Sequence, residues 1–365
     1  MKFVCNGLTL SEAVVKVSKA CAVRTTAPVM ECILISAFGE DVTLLATDGE
    51  MSIRKSVKAD ILEEGEVCVP GKLFADFLGK LVEEDIVIST VERGMEIRYR
   101  DASSCMQTIS AEEFPKIDLE IGEKSFVMKQ SDLKKIISET TFCCAQDDSR
   151  PVLKGCLMEF GDKLEVTALD GYRLALSSAP ILSKSGENSI ICPARTLGEV
   201  ARMLTGDDEE ITLYTQGGMF MVKSDGMIIV SRLYQGEFIR KENVIPPRFS
   251  TTVTLPRAEL ASGVERAAIL NRGDKNNLIT LEVGGNSVKI SSVSEIANGL
   301  ESVAAETEGV DLTISMNAKY LLDSLRALDG ERIVISFNGP ISPFILENAE
   351  QKGGLYLILP VRNAS

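Results

Sequence analysis

One pattern occurs three times in the sequence and decides how the chain is organised. It reads VPGKLFADFLGKLVEEDIVIST from Val69 to Thr90, CPARTLGEVARMLTGDDEEITLYT from Cys192 to Thr215, and SMNAKYLLDSLRALDGERIVISF from Ser315 to Phe337. Each copy begins with a short extended piece, runs through a helical pattern, crosses an acidic turn and enters an alternating strand. The equivalent residues Leu81, Leu204 and Leu328 are 123 and 124 residues apart. The chain therefore contains three tandem repeats.

An earlier helix recurs at the same period. It reads LSEAVVKVSKACAVR from Leu10, SDLKKIISETTFCCA from Ser131 and PRAELASGVERAAIL from Pro256. We expect Ser131 to cap its helix with its side chain and Pro256 to occupy the first turn. Hairpin-like strands follow each copy, so every repeat predicts two helices on one face of antiparallel strands, an α+β arrangement. The predicted helices are 11–24, 71–82, 131–142, 194–204, 256–272 and 317–328.

Turn residues and prolines separate the repeats. The segments EIGEKSF (120–126) and IPPRFST (245–251) interrupt the strand patterns. They predict three domains of roughly 120 residues, each large enough for its own core. The predicted domains are 1–123, 124–248 and 249–365.

Composition excludes several classes of protein. The 365 residues include no His and no Trp, so no mechanism can use an imidazole as base or metal ligand. The nine cysteines show no CxxC spacing, which favours reduced core thiols over disulfides or zinc. No signal peptide and no run of 18 apolar residues is present, so we expect a soluble, cytoplasmic protein without a metal or a cofactor.

Charge is distributed unevenly along the chain. The net charge is −14, but the six predicted helices together carry +6, which leaves −20 for the remainder. Spacings of three and four residues place two cations and one acid on one face of each second helix. Such helices could contact a polyanion weakly enough to slide along it, or they could simply present solvated faces. These charged residues are Lys72, Asp76 and Lys80, then Arg195, Glu199 and Arg202, then Lys319, Asp323 and Arg326.

Two other motifs indicate structure rather than chemistry. GDDEE (206–210) matches the acidic turns of the other repeats, so we expect a solvated turn there and not a cation site. LEVTALDGYRLALSS (164–178) predicts a β-hairpin that turns at Asp170 and Gly171. No nucleophile with an adjacent base appears anywhere in the sequence.

The three repeats, the basic helices and the segment TALDGYRLAL (167–176) together resemble the bacterial DNA polymerase III β subunit family, the sliding clamps. MKFVCN at the start, ERAAIL (265–270) and YLILPVR (356–362) extend the resemblance over the whole chain. It implies a non-catalytic processivity factor: a head-to-tail dimer of three-domain protomers whose ring has helices inside and sheets outside. Duplex DNA would pass through the ring.

The resemblance also implies a pocket for short apolar peptides of the replicative polymerase, the clamp loader and repair proteins. One wall departs from the family pattern, because Ile239 replaces a proline and Asn243 stands where an arginine is common. The implied pocket residues are Leu153, Leu169, Gly171, Tyr172, Arg173, Leu174, Val244, Leu357, Leu359, Pro360 and Arg362.

Two further sets of residues follow from the resemblance. Met106 of one protomer would lie against Ile269 and Leu270 of the other. The loop 145–151 can approach DNA in this family. The residues implied to face DNA are Arg24, Arg195, Arg202, Lys319 and Arg326, and the helix stripes add Lys72 and Lys80.

Two alternatives stay open at the level of sequence. A three-repeat scaffold for adhesion or carbohydrate binding would share the repeat pattern, although the thiols and the missing signal peptide disfavour it. A hydrolase that uses only paired carboxylates could also work without histidine.

Overall fold

The structure is a computed structural model that describes residues 1–81, 85–119, 122–271, 277–350 and 353–362. Within these ranges each repeat has two α helices, as the sequence predicts. None of these helices is long and apolar enough to span a membrane. They are α1 (Gly7–Val17), α2 (Gly71–Leu78), α3 (Gln130–Thr140), α4 (Ala194–Met203), α5 (Arg257–Leu270) and α6 (Ala318–Ala327).

The described part of each repeat also has nine strands. The first repeat contains β1 (Lys2–Asn6), β2 (Cys32–Phe38), β3 (Asp41–Thr47), β4 (Met51–Lys58), β5 (Asp60–Glu63), β6 (Gly65–Pro70), β7 (Asp85–Val91), β8 (Gly94–Tyr99) and β9 (Ala102–Met106). The second contains β10 (Lys124–Lys129), β11 (Gly155–Phe160), β12 (Lys163–Leu169), β13 (Arg173–Pro180), β14 (Ser183–Lys184), β15 (Asn188–Pro193), β16 (Glu210–Gln216), β17 (Met219–Ser224) and β18 (Met227–Arg232). The third contains β19 (Thr251–Pro256), β20 (Leu278–Gly284), β21 (Ser287–Val293), β22 (Asn298–Ala304), β23 (Glu306–Gly309), β24 (Leu312–Asn317), β25 (Arg332–Phe337), β26 (Phe344–Asn348) and β27 (Leu355–Ile358).

Helix α1 illustrates how the helices form and pack. Asn6 precedes it, and the Asn6 side chain accepts a hydrogen bond from the Thr9 amide at 3.1 Å, which satisfies one of the free N–H groups of the first turn. Leu10, Val14 and Val17 follow at spacings of four and three residues and are fully buried. The helix therefore packs one apolar stripe against the sheet.

All six helices end before their predicted ends, four of them by one or two residues and α1 and α2 by more. Helix α1 stops at Val17 because a short 3₁₀ turn follows, so Arg24 lies in an exposed bend beyond the helix. Helix α2 stops at Leu78 before Gly79, and Lys80 lies in the following turn. The prediction that Arg24 and Lys80 lie on helices was wrong.

The predicted helix starts also needed correction. Helix α3 begins at Gln130, so Ser131 is its second residue and not its cap. Pro256 precedes the first turn of α5 as its N-cap residue instead of lying within that turn. Val82 and Arg272, the last residues of two predicted helices, lie outside the described residues.

The chain forms two compact units that do not coincide with the three repeats. The first consists of Met1–Gln130, Leu182–Gly186 and Arg202–Leu233, and the second of Ser131–Ile181, Glu187–Ala201 and Tyr234–Ser365. The reason is visible in the sheets, since a nine-stranded sheet in each unit combines strands from two repeats. Their orders are β14-β10-β16-β17-β18-β4-β3-β2-β6 in the first unit and β15-β11-β12-β13-β27-β26-β25-β19-β23 in the second.

One pairing rule joins neighbouring repeats within each of these sheets. In the first unit β18 pairs antiparallel with β4, with Met227 opposite Lys55. In the second unit β27 pairs antiparallel with β13, with Ile358 opposite Arg173. The ninth strand of one repeat thus pairs with the fourth strand of the preceding repeat.

Each unit also holds a smaller sheet. The five-stranded sheet of the first unit has the order β5-β1-β7-β8-β9, and the four-stranded sheet of the second has the order β22-β21-β20-β24. Strands β9 and β22 are therefore edge strands in the described residues. They are the ninth strand of the first repeat and the fourth strand of the third.

Candidate functional site

The Asp170–Arg173 turn joins β12 to β13, as the sequence predicts. The amide groups of Tyr172 and Arg173 donate to Asp170 Oδ1 at 2.9 and 3.0 Å. Gly171 has a φ of 92°, in the left-handed region that glycine adopts without strain. Asp170 and Gly171 fix the backbone of the turn. This backbone in turn sets the positions of the Tyr172 and Arg173 side chains.

Arg173 is buried and fixed on several sides, with 7% of its surface exposed. Its Nε donates to Asp170 Oδ2 at 3.0 Å, Nη1 to Asp323 Oδ2 at 2.7 Å, and Nη2 to the Phe142 carbonyl at 2.8 Å. The guanidinium also lies over the ring of Tyr320, 4.5 Å from its centre. A buried arginine needs such partners, because burying its charge without them would cost roughly several kcal/mol of desolvation free energy.

An apolar cluster lies beside this turn. Its buried part has six residues, four of which are predicted pocket residues, and Val244 and Leu359 pack against it as half-buried side chains. Ile239, which departs from the family pattern, packs against the same cluster. The four predicted residues are Leu153, Leu169, Leu174 and Leu357, and the other two buried residues are Ala145 and Ile345.

The remaining predicted pocket residues surround the cluster. Tyr172 is 62% exposed, and its carbonyl accepts a hydrogen bond from the Leu359 amide at 2.9 Å. Pro360 is half-buried and Arg362 is exposed just beyond β27. The structure therefore brings together around one turn residues that lie about 200 positions apart in sequence.

The sequence assigned none of three residues to this region: Phe142 and Tyr320 were not singled out, and Asp323 was placed only in a charged helix stripe. The rings of Tyr172 and Tyr320 stack with centres 6.3 Å apart, and Phe142 and Asp323 hold Arg173. No short motif predicts these contacts, since Arg173 and Asp323 are 150 residues apart. Tyr320 follows a capping residue, Asn317, whose side chain accepts from the Tyr320 amide at 3.4 Å.

Asp323 bonds to two cations. Its Oδ2 atom accepts from Arg173 and also from Lys319 Nζ at 2.9 Å. Burial alone would raise the pKa of this carboxyl, but the two hydrogen bonds outweigh burial and hold its pKa below the ordinary value. Asp323 is therefore a charged carboxylate at neutral pH.

All seven residues predicted to face DNA are exposed. Lys72 lies on α2, Arg195 and Arg202 on α4, and Lys319 and Arg326 on α6. Arg24 and Lys80 lie just beyond helix ends. On α6 the cations are paired with acids, and Arg326 Nη2 lies 2.8 Å from Glu265.

The three residues predicted for an interface differ in their exposure. Met106 on β9 is buried within its own repeat, with 5% exposed. Ile269 at the end of α5 is 56% exposed, and Leu270 is half-buried. A Cβ on Gly299 of β22 would lie 2.4 Å from Leu270, so α5 packs closely on this edge strand.

The cysteines match the prediction of free core thiols. All nine lie in the described residues and are free, and only Cys105 is exposed. Burial raises the pKa of Cys5 to about 12, which keeps it in the thiol form.

Acidic side chains form no evident metal centre in the described ranges, where no group of three or more Cys, Asp or Glu residues could hold an ion. The turn 206–210 is exposed, as the sequence predicts. Glu83 and Glu84, its counterparts in the first repeat, lie outside the described residues.

Comparison with known proteins identifies the family. Models of the N-terminal, central and C-terminal domains of the DNA polymerase III beta subunit match residues 1–118, 127–239 and 242–362. A beta sliding clamp of Halalkalibacterium halodurans is 31% identical and aligns over 99% of this chain and 100% of its own length. The comparisons give no support to an adhesion or carbohydrate-binding scaffold.

Solved structures agree with the sequence match. A DNA polymerase sliding clamp from Bacillus subtilis superposes with a TM-score of 0.95 at 28% identity, over 100% of this chain and 99% of its own. A Pseudomonas aeruginosa sliding clamp bound to griselimycin gives a TM-score of 0.94 at 28% identity, over 99% of both chains. The chain therefore belongs to the DNA polymerase III beta subunit family, the bacterial sliding clamps.

Proposed function

We propose that two copies of this chain close head to tail into a ring around duplex DNA, and that the ring tethers the replicative polymerase, the clamp loader and repair proteins. The observation that carries the proposal is the match of all three family domains, in order, along the chain. The ring would act without catalysis, cofactor or metal, in the cytoplasm. Its domains would be 1–123, 124–248 and 249–365.

The sheet pairing supports a head-to-tail dimer. Within one chain, a ninth strand pairs with the fourth strand of the preceding repeat at two junctions, β18 with β4 and β27 with β13. In the described residues, β9, the ninth strand of the first repeat, and β22, the fourth strand of the third, have no such partner within the chain. Pairing β9 of one copy with β22 of the other would extend the rule and close a cyclic assembly.

Exposed apolar side chains at this edge also support the dimer. Leu300 on β22 is 67% exposed and Ile269 on α5 is 56% exposed. An edge strand with apolar side chains is a template for pairing with another chain. Met106 would contribute through the backbone of β9, because its side chain is already buried in its own repeat.

The helices supply a surface suited to DNA. Their exposed cations would contact phosphates, while the acidic remainder of the chain would repel DNA from other faces. Each phosphate contact adds only a salt-dependent increment to binding, so a few such contacts allow sliding. Enclosure, and not affinity, would keep the protein on DNA.

The cluster beside the Asp170–Arg173 turn would accept an apolar peptide. Its buried leucines form a floor, and half-buried side chains such as Val244 and Leu359 form walls that a ligand can cover. Ile239 replaces a proline in this wall, and Asn243 is exposed at the end of a short 3₁₀ turn. These two positions would set the peptide preference of this clamp.

Griselimycin, to which the Pseudomonas aeruginosa sliding clamp is bound in its structure, is the probe for this proposed pocket. We expect it to bind the wild-type protein, and the change Tyr172→Ala to weaken binding about tenfold because an exposed aromatic contact is lost. Isothermal titration calorimetry measures the affinity. Phe38→Ala, which removes an aromatic ring that is 50% exposed in the other unit, is the matched control and should leave affinity unchanged. Equal affinities for wild type and Tyr172→Ala would argue against this pocket.

A further inference from the structure

We propose that Asp323 couples the peptide pocket to the DNA-facing helix α6, so that phosphate contact at Lys319 tightens ligand binding beside Tyr172. The inference rests on the proposed functions of the pocket and of the helices. It goes beyond them because it assigns a positioning role to Asp323, which lies in neither set of residues.

Arg173 is the link between Asp323 and the pocket. It belongs to the turn that carries Tyr172, and it lies over the ring of Tyr320, against which Tyr172 stacks. Its Nε also holds Asp170, whose other oxygen fixes the backbone of the turn. The position of Arg173 therefore determines how rigidly Tyr172 and Tyr320 are held.

One oxygen of Asp323 accepts hydrogen bonds from both Arg173 and the exposed Lys319. Its Oδ2 atom lies 2.7 Å from Arg173 Nη1 and 2.9 Å from Lys319 Nζ. The Lys319 side chain is 64% exposed, whereas that of Arg173 is 7% exposed. Only the lysine can leave the pair to meet an incoming group.

A cavity of about 520 Å³ between α3 and α6 gives a phosphate access to Lys319. Lys135 and Arg326 also line it, together with Asp323. Lys135 is paired with Asp329, and Arg326 is paired with Glu265. Among these three cations, only Lys319 is paired with an acid that also binds Arg173 of the pocket turn, as the ion pairs of the described residues show.

The direction of the coupling follows from this sharing. When a phosphate draws Lys319 away, Oδ2 is left to Arg173 alone, and that charge-assisted hydrogen bond strengthens. Arg173 then holds the turn and the Tyr320 ring more firmly, so a ligand loses less conformational entropy on binding. Linkage requires the reverse effect as well, and ligand in the pocket should tighten the phosphate contact.

Griselimycin affinity, measured with and without a saturating short linear duplex at low ionic strength, tests the coupling. We expect the duplex to tighten binding to the wild type about fivefold. Lys319→Met removes the competing donor, so it should bind griselimycin as tightly without DNA as the wild type does with DNA, and should not respond to the duplex. Asp323→Asn should bind more weakly and should also not respond.

Lys223→Met is the matched control, because Lys223 is an exposed lysine on β17 that belongs neither to the pocket nor to the residues predicted to face DNA. It should behave as the wild type does once duplex is saturating. Circular dichroism and thermal unfolding establish that Asp323→Asn is folded. The coupling is overturned if Lys319→Met has wild-type affinity without DNA and still responds to the duplex. If griselimycin fails to bind the wild type at all, the pocket is refuted and the coupling with it, whereas binding without coupling refutes this inference alone.

Discussion

At the scale of single residues, the Asp170–Arg173 turn combines a structural and a functional role. Asp170 uses one oxygen to fix the turn and the other to hold Arg173. The first repeat has an Asp-Gly pair at the equivalent place, where Asp48 Oδ1 accepts from the Met51 amide at 2.8 Å. The shared Asp-Gly pair therefore has a structural role, and Tyr172 and Arg173 after it distinguish the second repeat from the first.

Gly171 is required by its backbone conformation and not by crowding. A Cβ added there would meet no atom within 4 Å, but its φ of 92° disfavours any other residue. We expect Gly171→Ala to lower the free energy of unfolding by about 1 kcal/mol. Gly161→Ala, in the hairpin between β11 and β12 without a positive φ, should cost nothing or stabilise slightly. Thermal unfolding of the two variants measures the difference, and equal melting temperatures would contradict the assignment.

Sequence predicts the turn but not what holds Arg173. An Asp-Gly pair between alternating strands acts through neighbouring backbone groups, so local pattern is sufficient. The bond from Arg173 to Asp323 closes a separation of 150 residues and depends on how β13 meets β27. The pocket leucines were identified through resemblance to a family, because apolar residues in strands look alike whether they line a pocket or a core.

At the scale of secondary-structure elements, the number of helices was predictable and their ends were not. Periodicity over a helical stretch such as Leu10 to Val17 reflects packing on the sheet. The ends depend on local competition, such as the 3₁₀ turn Ser18–Ala20 or Gly79 after α2. Misplacing these ends moved Arg24 and Lys80 onto helices in the prediction.

The edge strand β22 exposes the apolar side chain of Leu300. We expect Leu300→Lys to convert the dimer into a folded monomer, because it places a charge on an exposed apolar edge that would be buried between copies. Analytical ultracentrifugation should give a mass near 39.6 kDa for the variant and twice that for the wild type. Leu62→Lys, on the edge strand β5, should stay dimeric. A monomeric wild type, or a dimeric Leu300→Lys protein, would contradict the pairing of β9 with β22.

At the scale of the whole molecule, three repeats in sequence become two compact units in the fold. The sequence period predicts three copies, since each copy repeats its own core pattern. The period does not predict that the second repeat divides between the two units. The sequence of one repeat does not show which of its strands pairs with a strand of another repeat. The same pairing rule that divides the second repeat leaves β9 and β22 for a second copy.

We propose that enclosure, and not affinity, holds this protein on DNA. The most direct measurement is retention of the loaded protein on nicked circular DNA at a salt concentration that removes ionic contacts, before and after a restriction cut. Because the helix cations supply only weak, salt-screened attraction, we expect stable retention on the circle and rapid loss from the linear product. Equal retention on both forms would contradict topological tethering.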